Sequence, residues 1–196
     1  VMPGVSPAYD KPVSDDFPNL YHTTTTLREV KYVHEPTPSL VSYPIVEYEQ
    51  LRVKDLGNLP VNGRQLDIIA EFALPLSDVV GLRVFESDDG NTYTLITVIS
   101  NDDNNYTLKI DTSNSGFAVP TKNNTYPIGS MDFALTGDEV SLELRVINDR
   151  SIVEAFAGGG RGVVTSTVYA DAADSGANVV GEAVKANAWE MGCGWA

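Results

Sequence analysis

One stretch limits the fold more than any other: residues 141–169, SLELRVINDRSIVEAFAGGGRGVVTSTVY. β-Branched and apolar residues alternate with polar ones on both sides of the turn-forming pair Asn148-Asp149 and of the Gly158-Gly159-Gly160 break. The pattern predicts three successive strands and no helix. Leu142, Leu144 and Val146 fall on one face of the first strand, and Glu143 and Arg145 on the other. That is the arrangement of an antiparallel strand with one face on a core and one in water. The same alternation predicts Phe156 against the core. The glycine triplet marks a point where the chain turns sharply or approaches another backbone closely.

The pattern recurs upstream. In residues 66–74, LDIIAEFAL, the set Leu66, Ile68, Ala70, Phe72 and Leu74 alternates with Asp67, Ile69, Glu71 and Ala73, which predicts a strand with Phe72 in the core. Residues 81–87 and 93–100 flank Asp88-Asp89-Gly90-Asn91, whose Asp-Gly step is a hairpin signal, and residues 106–111 extend the pair into a meander. Residues 23–33, TTTTLREVKYV, also read as a strand. Alone it could not satisfy its backbone groups, so it must pair with the sandwich, with another chain, or remain an edge. Residues 1–21 carry Pro3, Pro7, Pro12 and Pro18 without periodicity, an extended arm, and residues 34–44, with prolines at 36, 38 and 44, read as a linker. The expectation is an all-β chain: a two-sheet antiparallel β-sandwich, jelly-roll or concanavalin-like, over residues 45–196, behind an extended proline-rich arm, strand and linker over residues 1–44.

A formal charge of −14 and a pI near 4.3 argue against a nucleic-acid partner or an anionic membrane surface, both of which would repel the chain. No apolar run reaches membrane-spanning length and no signal pattern opens the sequence, so the expectation is a soluble chain whose signal has been removed. Cys193 is the single cysteine, which excludes an internal disulfide and a cysteine metal cluster; no cofactor is expected. Two sequons, at Asn105 and Asn123, lie in polar, turn-like stretches open to N-glycosylation on a secretory route.

Candidate chemical groups are few. Glu47 and Glu49 share a face if residues 45–52 are extended, an arrangement of solvated edges rather than of an acid/base pair. Asp88, Asp89, Asp102 and Asp103 offer hard oxygen ligands but lack the spacing of a calcium loop, and read as solvated turns. His22 and His34 lie outside the sandwich with no Ser or Cys motif beside them, so a hydrolase triad is not supported. Gly158-Gly159-Gly160-Arg161 lacks the Gly-Lys-Ser/Thr of a phosphate loop. Trp189 could stack on a sugar as a binding residue, or pack in the core of a closing strand.

The segment DRSIVEAFAGGGRGVVTSTVY, residues 149–169, resembles the stretch that marks the C-terminal β-sandwich of family 32 glycoside hydrolases, the invertases, inulinases and other β-fructofuranosidases. The resemblance extends over roughly residues 23–191 and is dense at 45–52, 81–116 and 141–169. TTTTLREVKYV is similar to the family's last propeller-blade strand, IVEYEQLR to the start of its sandwich, and VKANAWEM to its final strand. In TLKIDTSNSG the family usually has an arginine where this chain has Thr112, which implies a lost local salt bridge.

Retaining glycosidases need two carboxyl groups about 5 Å apart. In the resembled family these sit in Asn-Asp-Pro-Asn and Glu-Cys motifs of the propeller, with a third aspartate in Arg-Asp-Pro; none of the three motifs occurs here. The resemblance therefore implies no catalytic residue in this chain. It implies a non-catalytic module, or a processed C-terminal polypeptide, of a secreted or vacuolar enzyme that cleaves fructan or sucrose. Its partners would be a catalytic propeller or a second copy of itself, with a fructan- or sucrose-like carbohydrate. The alternative is a free-standing, lectin-like carbohydrate-binding protein, since a sandwich fold serves either purpose.

Overall fold

A computed structural model describes residues 24–102, 104–116 and 128–192. His22, Asp103, Asn123, Cys193 and the proline-bearing arm lie outside the described residues. In chain order the elements are β1 (Arg28–Val33), β2 (Ser39–Pro44), a 3-10 helix (Val46–Leu51), β3 (Arg52–Asn58), β4 (Val61–Asn62), β5 (Gln65–Ala73), β6 (Val80–Glu86), β7 (Thr94–Asp102), β8 (Asn105–Asp111), β9 (Ile128–Ala134), β10 (Ser141–Asp149), β11 (Ile152–Ala157), β12 (Gly162–Thr167), β13 (Gly176–Val180) and β14 (Lys185–Met191).

Two six-stranded sheets form the sandwich, ordered β12-β11-β10-β5-β14-β3 and β4-β13-β6-β7-β8-β9, and β1 and β2 form a separate hairpin. The strand expectation for residues 141–169 holds as β10, β11 and β12, paired in antiparallel register from Leu144↔Ala157 to Asp149↔Ile152 and from Ile152↔Thr167 to Ala157↔Gly162. Between the sheets, Leu66, Ile68 and Phe72 of β5 and Leu142, Leu144 and Val146 of β10 meet Leu82 of β6, Ile96 of β7 and Leu108 and Ile110 of β8, all at 0–1% exposure. This is the core the alternation demands: each strand turns one row of apolar side chains to the facing sheet. The glycine triplet does both things expected of it. All three residues have positive φ, and a Cβ on Gly160 would run into the Ser42 carbonyl. The Ser42 N–H donates to Gly160 O at 3.0 Å, so the turn is also the seat of β2.

Four readings need correction. Residues 34–44, expected to be a linker, hold β2, which pairs with β1 from Arg28↔Pro44 to Val33↔Ser39. Pro36 and Pro38 fall in the turn and Pro44 at the strand's last position, where a missing N–H interrupts nothing. Residues 46–51 form a 3-10 helix, so Glu47 and Glu49 do not share a strand face. The polar side of β10 is not in water: Arg145 and Ile147 are each 2% exposed. Phe156 is fully buried but on the outer side of its sheet. It stands opposite Arg145 in the ladder, while Val153, Ala155 and Ala157 take the core side. β9 carries no clear strand signal in IGSMDFA; it completes the second sheet as an edge beside β8.

Candidate functional site

The outer face of the β12-β11-β10-β5-β14-β3 sheet carries a cluster of buried and half-buried charged side chains, and the β1–β2 hairpin lies over it. Directly opposed residues of an antiparallel ladder share a face, so the registers define two rows. One runs Thr165, Glu154, Ile147, Asp67, Trp189; the next runs Val163, Phe156, Arg145, Ile69, Asn187. Acid, base and aromatic groups are thus brought together from five strands.

Asp67 is the centre of the first row. Arg145 donates Nε to its Oδ1 at 2.8 Å and Nη2 to its Oδ2 at 2.7 Å, and Arg52 donates Nε to Oδ2 at 2.9 Å. Asp67 is fully buried and Arg145 nearly so. A charge at such a site persists only when paired and hydrogen-bonded, which the double fork achieves. Burial disfavours the Arg145 cation, but the hydrogen bonds and charge of Asp67 outweigh it and raise its pKa above the ordinary guanidinium value. Arg52 also lies 4.0 Å from the Trp189 ring centroid and 3.3 Å from Glu49.

The hairpin is tied to this face at both strands. Arg28 of β1 forms an ion pair with Glu154, whose side chain is 2% exposed. Arg28 also bonds Thr165 Oγ1 at 2.8 Å and lies 5.0 Å from the Phe156 ring centroid. The Thr26 N–H adds a bond to Glu154 Oε1 at 2.6 Å. From β2, Tyr43 meets Phe156 edge to face at 5.8 Å and donates its hydroxyl to Glu143 Oε1 at 2.6 Å. Burial, then the Glu143 hydrogen bond and charge, raise the Tyr43 pKa well above that of a free phenol. Beside these contacts a cleft of about 450 Å³ opens between hairpin and sheet, with Lys31, Tyr43, Glu49, Ile69, Glu143 and Arg145 among its walls.

The residues singled out by sequence fall elsewhere or take other roles. Trp189 is neither in the core, where Ala186 and Ala188 of the same strand lie, nor a bare stacking platform: it is half-buried on the outer face with Arg52 over its ring. Asp89 is held in the β6–β7 turn by Ser87 and Asn91, whose hydrogen bonds lower its pKa. Asp102 accepts from Asn105 at 2.6 Å. Among the described residues no group of three or more His, Cys, Asp or Glu could hold a metal ion. Asn105 is exposed at the start of β8. Asp111, beside Thr112, pairs with Lys109 at 3.0 Å. Sequence reasoning misses Asp67, Arg145, Arg52, Glu154, Arg28 and Tyr43 as a group. Asp67 and Glu154 carry a signal, a charge set in an otherwise apolar run, as in LDII and IVEAF.

Residues 41–190 match the family model described as "Glycosyl hydrolases family 32 C terminal". A relative from Arabidopsis thaliana, "Beta-fructofuranosidase, insoluble isoenzyme CWINV3", is 33% identical over 96 residues, 45% of this chain and 16% of the relative. Among solved structures, fructan 1-exohydrolase IIa from Cichorium intybus superposes with a TM-score of 0.68 at 20% identity, covering 84% of this chain and 40% of that one. Exo-inulinase from Aspergillus awamori does so with a TM-score of 0.68 at 17% identity, covering 86% and 35%. The fold of the chain is shared with both solved structures, and this chain spans well under half the length of each of the three proteins.

Proposed function

The chain belongs to the C-terminal domains of the family 32 glycosyl hydrolases, and on that premise we propose that it is the non-catalytic β-sandwich of a fructan- or sucrose-cleaving enzyme, built to carry and brace a separate catalytic body. The observation that supports this reading most is the β1–β2 hairpin. It lies outside both sheets of the sandwich, yet it is fixed to one of them by the Arg28–Glu154 pair and the Tyr43–Glu143 bond. The hairpin face opposite Val41 and Tyr43 shows Val30, Tyr32 and Leu40 at 59%, 58% and 66% exposure, and among the described residues β1 pairs only with β2. Open strand edges and contiguous exposed apolar groups are where another body docks. The family model is described as C-terminal, so a catalytic body preceding it in the chain would reach the hairpin before the sandwich, which supports that surface as its seat. The carboxylate motifs of the resembled catalytic domain do not occur here, which supports a bracing role over a catalytic one.

A secreted or vacuolar setting and glycosylation at Asn105 belong to the same proposal. The exposure of Asn105 supports the latter, and intact mass of material from the native source tests it. Arg52 stands over one face of the Trp189 ring, which weighs against that residue as the stacking platform of a free-standing lectin. The decisive experiment mixes this chain with a family 32 catalytic domain expressed without its own sandwich. Association on gel filtration, weakened by Tyr32→Glu or Leu40→Glu, is expected. A chain that stays alone, or that releases fructose from sucrose or inulin unaided, overturns the proposal.

A further inference from the structure

The cleft between hairpin and sheet is lined by groups with hydrogen-bonding capacity left over. Arg145 turns Nε and Nη2 to Asp67, while Nη1 stands 3.8 Å from Glu49 Oε1, too far for a direct hydrogen bond. A hydroxyl group closes such a gap, accepting from the guanidinium and donating to the carboxylate at about 2.8 Å each. Glu143 takes the Tyr43 hydroxyl on Oε1, and a carboxylate has room for further donors on both oxygens. Ile69, Val41 and Pro44 give the same cleft an apolar wall.

The charges choose between ligand classes. Glu29, Glu49 and Glu143 border the cleft beside Lys31 and Arg145; Lys31 is paired with Glu29 and Arg145 with Asp67, and the chain carries a formal −14, so an anionic ligand still meets net repulsion. A metal ion lacks a ligand set among the described residues. A neutral polyol meets neither obstacle: its hydroxyls donate to carboxylates and accept from the guanidinium. At about 450 Å³ the cleft is the size of a small-molecule pocket. The geometry points to a binding site for one neutral sugar residue, with one hydroxyl bridging Arg145 Nη1 and Glu49, a second donating to Glu143, and the ring's apolar edge on Ile69. The sugar is either free or the end residue of an oligosaccharide. This goes beyond the bracing role, because the site uses the inner side of the hairpin and the docking surface uses the outer.

The test is a titration of the full 196-residue chain, followed by amide chemical shifts, with fructose, with a neutral fructose-containing trisaccharide and with fructose 6-phosphate. Saturable shifts around Glu49, Glu143 and Ile69 with a neutral sugar are expected, and none with the phosphate ester. Saturation by fructose alone identifies a free sugar, and saturation by the trisaccharide alone identifies an oligosaccharide end. Glu49→Gln should weaken binding about tenfold, the usual effect of losing a hydrogen bond to a charged group. Its melting temperature should fall by no more than a few degrees, because the Glu49–Arg52 pair it also loses is half in water, and Val184→Ser, on an exposed loop outside the cleft, should bind as the parent does. Absence of saturable shifts, tighter binding of the phosphate ester, or unchanged affinity in Glu49→Gln overturns the inference. Association with a catalytic domain is read separately and does not depend on Glu49, so the two proposals fail independently.

Discussion

Arg145 of β10 and Asp67 of β5 lie side by side on one sheet face, joined by two parallel hydrogen bonds of 2.8 and 2.7 Å, with 2% and 0% of their side chains exposed. The pair sits beneath the hairpin and the 3-10 helix, so neither charge has water to fall back on. A buried pair adds little over a well-packed apolar pair, but losing one partner strands the other. Asp67→Ala is therefore expected to cost ~3–5 kcal/mol, and the double change Asp67→Leu with Arg145→Met to recover most of it. Urea unfolding of the parent and the two variants decides this; a single mutant within ~1 kcal/mol of the parent would show that the pair is hydrated after all.

Phe72 and Phe156 are both fully buried, and truncation of either to Ala is expected to cost ~3–5 kcal/mol by loss of transfer energy and creation of a cavity. Their consequences differ because they face opposite ways. Phe72 packs between the two sheets, so its loss should weaken the whole domain. Phe156 packs against Tyr43 and Arg28, so its loss should first free the hairpin. Hydrogen exchange checks the distinction: in Phe156→Ala, amides of residues 28–44 should exchange by local opening while β5 and β10 stay protected.

Glu154 is the anchor that holds β1. It receives the Arg28 guanidinium and the Thr26 N–H, with Thr165 beside them. Glu154→Gln keeps the shape and removes the charge, and should weaken hairpin docking by ~1.5–3 kcal/mol, the value of a charge-assisted bond. Limited proteolysis should then cut between residues 24 and 45 while the sandwich remains intact. Equal resistance of parent and variant would mean that Tyr43 and the Ser42–Gly160 bond suffice to hold the hairpin.

Alternation of side chains identifies two faces of a strand but not what covers each. Leu142, Leu144 and Val146 were placed correctly because their face contrasts with Glu143 and Arg145. That same contrast put Arg145 in water, since a hairpin more than a hundred residues upstream leaves no mark on β10. In β11 all six residues are buried, so alternation does not tell its two faces apart and misplaces Phe156 against the core. Its shared parity with Glu154 was the better guide. The prolines of residues 34–44 suggested a linker because composition does not say that Pro36 and Pro38 lie in the turn and Pro44 at a strand end. The fold was therefore open to sequence reasoning through its period-two core. The charged layer was not, because it depends on contacts distant in sequence.

Two half-buried phenols tie that layer to alkaline pH. Burial raises Tyr43, with Glu143 adding to it. Tyr48 is pushed up to about 12 by burial and then by the negative charges of Asp149, Glu154 and Asp67. An unfolded tyrosine titrates near about 10. Above that pH the unfolded chain releases protons that the folded chain still holds, so the stabilisation present below about pH 10 is lost as pH rises towards the folded values. Denaturant midpoints should be flat from neutral pH to about pH 9 and then fall, with the fall reduced in Tyr48→Phe and again in Tyr43→Phe. Tyr43→Phe should also lower stability at neutral pH, because Glu143 loses its donor, whereas Tyr48→Phe should not. A parent protein whose midpoint holds steady to about pH 11 would mean that both phenols ionise freely in the folded state, and that the hairpin does not shield the face beneath it.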